Sequence, residues 1–315
     1  MSDLGFFTKS FTEPEIQVLE DNTLQGSQVQ LAIKREDVID SIVSGNKFRK
    51  LKYNLAEAHK QKKKKLLTFG GAFSNHIAAV AKAGEICGFK TIGVIRGEEL
   101  GENLQRTLQQ NSTLKFAYDC GMQFHFVTRS SYRDKHTLCF RESLKSEFGD
   151  FYEIPEGGTN TLAVTGCTEI LNADTSKFDI IACAVGTGGT IAGIIEASLP
   201  HQKVLGFPAL KGDFLYEEIK KYTLKTNWDL VTDYHFGGYA KIDAVLVNFI
   251  NSFKKSHGIQ LDPVYTGKMM YGLTELIRDG FFSENTRILA IHTGGLQGIA
   301  GMNEKLKSKG QSLIV

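Results

Sequence analysis

Short apolar segments alternate with helical segments along almost the whole chain, and this alternation limits the possible folds more than any other feature. Three of the apolar segments, KLLTFGG, FDIIACAVG and TRILAIHTGG, read as strands that run into glycine turns. Strands that alternate with helices are typical of parallel sheets covered by helices on both faces. We therefore predict an α/β fold with parallel-rich open sheets flanked by helices. The three glycine turns are expected to meet in one crevice at the carboxyl ends of their strands.

The helical segments carry the second part of this prediction. A helix is expected to begin at about Asn46, and residues 102–121 and 132–149 each read as one long helix. No internal repeat and no linker rich in proline, glycine or serine divides the chain. A second domain is therefore expected to be an insertion within the first.

The composition excludes several classes of partner. The chain has 315 residues, 42% of them hydrophobic and 23% charged, and a formal net charge of +2. So small a charge argues against nucleic acid or a membrane surface as a partner, and no apolar run is long enough to span a bilayer. The five cysteines form no C-x-x-C pair, and the start of the sequence lacks a secretory pattern. We expect no disulfide framework, no metal site and a cytoplasmic location.

One lysine lies where an apolar residue is expected. In the helix from Asn46, Lys47 precedes Leu51 and Leu55 by four and eight residues and so shares their stripe. The lysine can snorkel, with its stem packed and its amine in water. Alternatively, its amine lies in a partly dry cleft, where a lowered pKa makes lysine a nucleophile toward carbonyl groups. This segment alone leaves both interpretations open.

The turn GTGGT, residues 186–190, precedes a helical segment and is a candidate phosphate site. Backbone N–H groups at a helix N-terminus bind anions, and glycines let a phosphate approach closely. A dinucleotide motif would need glycine where the chain has Ile191, and the next strand lacks a terminal acidic residue. A single phosphate therefore fits better than a pyrophosphate. The alternative is a tight turn that binds no ligand.

Two further patterns place polar groups near glycines. Ser74 is a natural N-cap for the helix after TFGGAF; alternatively, Ser74, Asn75 and the first helical N–H groups face a carboxylate or a phenolate. Tyr239 in FGGYAK and Tyr265 in DPVYTGK are either core residues or hydroxyls directed at a reacting centre. An amine, a phosphate cradle, a carboxylate-binding helix start and hydroxyl donors together are what an enzyme that uses pyridoxal phosphate requires.

These motifs also carry a family resemblance. GNKFRKL, GGAFSNH, EGGTNTLAVTG, GTGGT, DPVYTGKMMYGL and IHTGG follow one another in family order and cover nearly the whole chain. The sequence resembles the 1-aminocyclopropane-1-carboxylate deaminase and D-cysteine desulfhydrase family, within the fold type II, tryptophan-synthase-β-like pyridoxal phosphate enzymes. The resemblance implies two domains: a large cofactor-binding domain of residues 1–50 and 149–315, and a small inserted α/β domain of residues 51–148. It also implies a small amino-acid substrate and a homodimer.

The resemblance assigns a role to each motif. Lys47 is expected to form the Schiff base with the cofactor, Asn75 to hydrogen-bond its phenolic oxygen, and Thr293 to hydrogen-bond its pyridine nitrogen. The residues expected to hold the phosphate are Gly186, Thr187, Gly188, Gly189 and Thr190. Those expected to hold the substrate carboxylate are Ser74, Asn75 and His76. The residues expected to act in catalysis are Lys47, Ser74, Tyr239 and Tyr265.

One position separates the branches of the family. The deaminases have YEGK and HLGG, with a glutamate facing the pyridine nitrogen, whereas this chain has YTGK and HTGG, with Thr266 in place of the glutamate. A carboxylate keeps the pyridine protonated and strongly electron-withdrawing, which a hydroxyl does not do. This favours β-elimination of hydrosulfide from D-cysteine, giving pyruvate, ammonia and sulfide, over opening of a cyclopropane.

Several alternatives remain at this point. The nearest is deamination of 1-aminocyclopropane-1-carboxylate, followed by a racemase or a dehydratase on the same scaffold. From another class comes a phosphate- or nucleotide-binding protein without catalytic activity. Phe73 and Ala78 stand where the family usually has glutamine and often has arginine, so the surroundings of the substrate differ from both branches.

Overall fold

The computed structural model describes residues 4–7, 12–20 and 29–315 of the chain. In this part of the chain, two sheets and the helices around them form the fold. The first sheet has six strands in the order β1 (Ile16–Val18), β2 (Gln30–Lys34), β10 (Arg287–Ile291), β7 (Ile180–Val185), β8 (Lys203–Pro208) and β9 (Trp228–Leu230). All neighbouring strands are parallel except β1, which is antiparallel to β2.

The second sheet has four strands, and all of them are parallel. Their order is β5 (Gln123–Val127), β4 (Lys90–Arg96), β3 (Lys65–Gly71) and β6 (Tyr152–Ile154). β6 joins this sheet although it follows residue 148. We therefore propose that the inserted small domain ends after Ile154 and not at residue 148.

Twelve α-helices flank the sheets within the described residues. They are α1 (Asn46–Lys60), α2 (Asn75–Cys87), α3 (Leu104–Gln110), α4 (Ser112–Asp119), α5 (Arg129–Arg133), α6 (Leu138–Phe148), α7 (Thr161–Thr168), α8 (Gly189–Ala197), α9 (Phe214–Lys220), α10 (Ala244–His257), α11 (Thr266–Arg278) and α12 (Gly298–Lys307). The predicted α/β class with parallel-rich sheets is confirmed. No helix in these ranges is both long and apolar enough to cross a membrane.

The core follows from the alternation of side chains along the strands. In β2, Leu31 and Ile33 pack with residues of α10, α11 and α12 on one face of the six-stranded sheet. Ala32, between them, packs on the opposite face with residues of α7, α8 and α9. Because both faces are covered, these strands are apolar throughout, as expected for a parallel sheet.

Two of the predicted helices are interrupted. The segment 102–121 forms α3 and α4, which are separated at Asn111; its backbone is extended, and its side chain accepts a 2.8 Å hydrogen bond from the amide of Leu114. The segment 132–149 is interrupted before Thr137, which caps α6 in the same way. Asparagine and threonine side chains compete with helical hydrogen bonding and favour N-caps. The prediction of one helix in each segment was therefore wrong.

Candidate active site

The three glycine turns line one cavity of about 760 Å³, as the alternation of strands and helices predicted. The turns follow β3, β7 and β10 and comprise residues 71–75, 186–188 and 293–295. Eleven of the residues predicted for the site line this cavity: Lys47, Ser74, Asn75, His76, Gly186, Thr187, Gly188, Thr190, Tyr239, Tyr265 and Thr293. Gly189 does not line it; a Cβ there would come within 2.8 Å of the Thr159 side chain.

Lys47 extends into the cavity from the first turn of α1. The helix begins immediately after Gly45, which has a φ of +58° and lies so close to the β10 turn that a Cβ would come within 2.0 Å of the Thr293 carbonyl oxygen. Burial, together with the charge of Lys50, lowers the pKa of Lys47 to about 7. A large share of the amine is therefore neutral near pH 7, which supports the interpretation as a nucleophile in a partly dry cleft.

Asn46 is a residue that the sequence analysis missed. Its Oδ1 accepts a 3.1 Å hydrogen bond from the Lys47 amine, and its Nδ2 donates a 2.9 Å bond to the hydroxyl of Thr190. Asn46 therefore connects the reactive amine to the turn that is predicted to bind phosphate. Its position directly before the lysine in GNK is a signal that could have identified it.

Lys50, one helical turn after Lys47, was also missed. Its side chain is buried, and its Nζ donates to the Gly157 carbonyl at 3.0 Å and to the Thr159 hydroxyl at 3.1 Å. The Thr159 hydroxyl lies 2.6 Å from that of Thr187 in the GTGGT turn. No carboxylate of the described residues lies within ion-pair distance of Lys50. Burial lowers the pKa of Lys50, and an anion bound beside it would favour its charged form, so this side chain makes the site attractive to an anion.

The GTGGT turn has the backbone that a helix N-terminal anion site needs. Gly188 has a φ of +85° and is the N-cap of α8, so that its left-handed conformation favours glycine. Gly186 lies beside the ring of Tyr265, and a Cβ there would come within 3.0 Å of the ring. The turn and the tyrosine therefore form one continuous part of the cavity wall.

The start of α2 both caps its helix and borders the cavity. Ser74 caps the helix by accepting from the Ile77 amide, and it also lines the cavity. Asn75 donates from Nδ2 to the Gly295 carbonyl at 3.1 Å, while its Oδ1 is buried and has no hydrogen-bond partner in the described structure. An unsatisfied buried oxygen of this kind points to a bound polar group.

His76 is buried and neutral. Its Nε2 lies 2.8 Å from the Thr68 hydroxyl, which itself donates to the Ile154 carbonyl, so the ring nitrogen is the donor in this pair. Burial and the nearby amines of Lys47 and Lys50 lower the pKa of His76 well below its usual value. Any contact of His76 with a ligand is thus made by the uncharged ring.

The two tyrosines lie together on the cavity wall. Their ring centroids are 6.2 Å apart, and the planes are inclined at 64°. Burial raises the pKa of both Tyr239 and Tyr265, so each hydroxyl keeps its proton at neutral pH. Both can therefore act as hydrogen-bond or proton donors.

The two threonines on which the branch argument depends occupy different positions. Thr293 is buried and lines the cavity after β10. Thr266 is fully buried at the start of α11, behind the cavity wall, and its hydroxyl accepts a 2.9 Å hydrogen bond from the Asp262 amide. The Asp262 carboxylate in turn accepts from the amides of Tyr265 and Thr266. These reciprocal hydrogen bonds hold Thr266 in its buried position at the start of α11.

The two departures from the family also occupy different positions. Phe73 is 51% exposed and lines the cavity, where it faces Gly301 of α12; a Cβ on that glycine would come within 2.7 Å of the ring. Ala78 is buried within α2 and does not line the cavity. Of the two, Phe73 is the residue placed to contact a ligand.

Comparison with known proteins identifies the class. Residues 16–294 match the family model described as pyridoxal-phosphate dependent enzyme. Because this match covers most of the chain, the protein belongs to that family, and its cofactor is pyridoxal phosphate. The family inferred from the sequence motifs is thereby confirmed.

Individual relatives narrow the comparison. The chain is 31% identical over 304 residues to the bifunctional D-cysteine desulfhydrase/1-aminocyclopropane-1-carboxylate deaminase, mitochondrial, of Arabidopsis thaliana, with 89% of this chain and 75% of that protein covered. It is 26% identical over 293 residues to the D-cysteine desulfhydrase of Serratia proteamaculans, covering 84% and 86%. A crystal structure of an ACC deaminase homologue superimposes with a TM-score of 0.79 at 30% identity and covers 97% of this chain and 98% of that one. The fold is therefore that of the fold type II enzymes.

The cavity fits the cofactor of this family. It presents an amine with a pKa of about 7, a glycine turn at a helix N-terminus, and a buried lysine beside that turn. The unpartnered Oδ1 of Asn75 belongs to the same cavity. An aldehyde that carries a single phosphate and a polar ring matches this set of groups.

Proposed function

We propose that the protein is a D-cysteine desulfhydrase, which converts D-cysteine and water to pyruvate, ammonia and hydrogen sulfide. The observation that carries the proposal is that no glutamate stands at the position that the resemblance assigns to the deaminases: Thr266 replaces it and does not line the cavity, and Thr293 is the hydroxyl that does. The relative from Serratia bears this name. Deamination of 1-aminocyclopropane-1-carboxylate is the second candidate, because the name of the Arabidopsis relative includes both activities.

The proposal assigns the cofactor to particular groups. Lys47 would be the lysine that binds the cofactor aldehyde, and Asn75 and Thr293 would hydrogen-bond the oxygen and the nitrogen of its ring. The turn 186–190 would bind the phosphate with the help of the Lys50 ammonium. The burial of Lys50 without a carboxylate partner supports this assignment.

Lys47 would also be the general base. Bound pyridoxal phosphate withdraws electrons from the substrate Cα and so acidifies its proton. When it is not bound to the cofactor, the neutral Lys47 amine would accept that proton, and its low pKa keeps enough of it uncharged near pH 7 to do so. Asn46 orients the amine through the 3.1 Å hydrogen bond. General-base catalysis of this kind contributes roughly 10²–10⁴-fold.

The leaving group would receive its proton from a neighbouring hydroxyl. When the Cβ–S bond breaks, the sulfur leaves with the electron pair as hydrosulfide. Tyr239 or Tyr265 donates a proton to it, because both hydroxyls stay protonated at neutral pH. Ser74, which also lines the cavity, is the alternative donor. The released enamine hydrolyses in water to pyruvate and ammonia, which completes the balance.

The first test is the visible absorption spectrum of the purified protein, followed by addition of D-cysteine. We expect a cofactor band that shifts on addition, sulfide release, and neither change with Lys47→Ala. L-Cysteine is the stereochemical control. A band that responds only to 1-aminocyclopropane-1-carboxylate would overturn the desulfhydrase proposal and support the second candidate. A protein that stays colourless with added cofactor would overturn both.

The proposal extends to assembly and compartment. A homodimer is expected from the resemblance, and sedimentation of the holoenzyme tests it. A cytoplasmic, reducing environment is supported by the cysteines, all five of which are free thiols. Localisation of the tagged protein in its own cell tests the compartment.

A further inference from the structure

The segment that carries Tyr239 has an unusual backbone. Residues 235–241 form a loop between β9 and α10 without helix or strand. Within it, Phe236 and Ala240 have φ values of +53° and +52°, and Gly237 and Gly238 also have positive φ. Residues with a Cβ rarely adopt this region, and they remain there only where surrounding contacts fix them.

Lys268 in the first turn of α11 supplies such contacts. Its side chain is only 2% exposed, and Nζ donates to the carbonyls of His235 and Gly238, each at 2.8 Å. No carboxylate in the described ranges lies within ion-pair distance of this ammonium. A buried ammonium is costly unless it is hydrogen-bonded, so the two carbonyls and the lysine depend on one another.

The two carbonyls lie within the turn that presents Tyr239. The Gly238 amide donates to the His235 carbonyl at 3.0 Å, and the Lys241 amide donates to the Gly238 carbonyl at 3.2 Å. Both acceptors are therefore shared between the turn itself and Lys268. Without the ammonium, these two carbonyls would keep only their hydrogen bonds within the turn, and residues with positive φ would still lie on either side of Tyr239.

We propose that Lys268 is a positioning residue, whose ammonium fixes this turn and thereby directs the Tyr239 hydroxyl into the cavity. Lys268 does not line the cavity itself and acts through the loop. Only the part of this inference that gives Tyr239 a role in the reaction rests on the proposed function. The fixing of the loop is independent of any substrate.

Other contacts of the loop remain when Lys268 is changed. The Phe236 ring packs against Tyr271 with centroids 5.1 Å apart, and Lys305 of α12 donates to the Ala240 carbonyl at 3.2 Å. The loop is therefore expected to stay attached to the protein and to lose its internal order. Lys268→Met keeps the length of the side chain and removes its donors.

The first experiment measures hydrogen–deuterium exchange of residues 235–241, in the holoenzyme and after removal of the cofactor. We expect exchange of this segment to be at least about tenfold faster in Lys268→Met and unchanged in distant strands. Lys268→Arg, which keeps donors, should recover part of the protection. Lys241→Met is the matched control, because it removes a lysine charge from the exposed end of the same loop.

The second experiment is a double-mutant cycle with Tyr239→Phe. If Lys268 acts through Tyr239, the variant with both changes loses no more turnover than the worse single variant. The absorbance of the bound cofactor should be that of the wild type in all of them, because Lys47 is untouched. Exchange in Lys268→Met equal to wild type, or losses that multiply in the double variant, would overturn the proposal.

Two further outcomes are separable. Full activity of Tyr239→Phe would show that the Tyr239 hydroxyl takes no part in the reaction. The exchange result would still decide whether Lys268 fixes the loop. If Lys268→Met does not fold, Lys268→Leu, which also lacks donors, is measured by exchange in its place. Protection equal to wild type in that variant overturns the proposal.

Discussion

At the scale of single residues, the chemistry of the site depends on the environment of Lys47. An ordinary lysine on a solvated helix titrates near 10.4. Burial and the charge of Lys50 lower the pKa of Lys47 to about 7, and Asn46 accepts a hydrogen bond from its amine. The surroundings of the side chain, more than its position on an apolar stripe, make the amine reactive.

The lowered pKa has a consequence for stability. Between about pH 7 and about pH 10, Lys47 binds a proton in the unfolded chain and not in the folded protein without cofactor. The free energy of unfolding of wild type relative to Lys47→Met should therefore rise with pH across this range. Urea unfolding of both proteins without cofactor, from pH 7 to 9.5, measures the difference. A difference that is independent of pH would contradict the shift.

A second prediction concerns Asn46. Asn46→Ala removes the acceptor for Lys47 and the donor to Thr190, and we expect turnover to fall roughly tenfold to a hundredfold, part of the general-base contribution. Asn46→Asp keeps an oxygen beside the amine and adds a negative charge, which raises the pKa of Lys47. The pH dependence of the reaction of Lys47 with pyridoxal measures this. The midpoint should move upward in Asn46→Asp; an unchanged midpoint would show that Asn46 does not act on the amine.

At the scale of elements, the start of α1 is fixed by its contact with the β10 turn. Gly45 combines a positive φ with a position where a Cβ would overlap the Thr293 carbonyl. Asn46, Lys47 and Lys50 all project from the first two turns of this helix, so a shift of its start displaces all three. The contact between α1 and the β10 turn therefore fixes the positions of all three side chains.

Gly45→Ala tests this contact. We expect a loss of at least about 2 kcal/mol in the free energy of unfolding, and weaker cofactor binding, because both the backbone conformation and the carbonyl contact oppose a side chain. Gly149→Ala is the matched control: Gly149 has nearly the same backbone angles as Gly45 (φ +71° and ψ −142°, against +58° and −136°), and the atom nearest to a Cβ there is the Lys65 amine at 3.9 Å. Denaturant unfolding of both variants separates the two terms. Equal losses would show that the contact with Thr293 adds nothing.

At the scale of the whole molecule, the cavity lies between the two sheets and takes its walls from both. Residues 71–75 come from the four-stranded sheet, and the turns after β7 and β10 come from the six-stranded sheet. A ligand that contacts all three turns ties the sheets together. Ligands that bind only the folded state stabilise it, by about 2.7 kcal/mol at a hundred times Kd.

Removal of the cofactor should therefore lower the melting temperature of the whole protein. Readdition of pyridoxal phosphate should restore it, and pyridoxal without the phosphate should restore less, because the turn 186–190 and Lys50 are then not engaged. Differential scanning calorimetry of the three samples measures the effect. Equal recovery of the melting temperature with both compounds would show that this turn does not bind the phosphate.

Much of the fold could be predicted from the sequence because its signals are local. The run KLLTFGG and the capped segment after Ser74 each contain, within a few residues, the periodicity and turn chemistry that define a strand and a helix. The breaks at Asn111 and Thr137 were missed because a single capping residue is a weaker sequence signal than the helical pattern that surrounds it. The membership of β6 in the four-stranded sheet was missed because Leu66 and Tyr152 are far apart in sequence. They pair only because the folded chain brings their strands together.

The sequence by itself determined the α/β class through the alternation of strands and helices, and the family and its cofactor through the resemblance of its motifs. It also located the glycine turns, since parallel strands bring their carboxyl ends to one edge. Only the tertiary structure decided what each polar group faces. Lys50 meets Thr159 across 109 residues of chain, Asn46 meets Thr190 across 144, and Lys268 meets His235 across 33. Hydrogen bonds between such distant segments leave no periodic trace in the sequence, because they depend on how the sheets and helices pack.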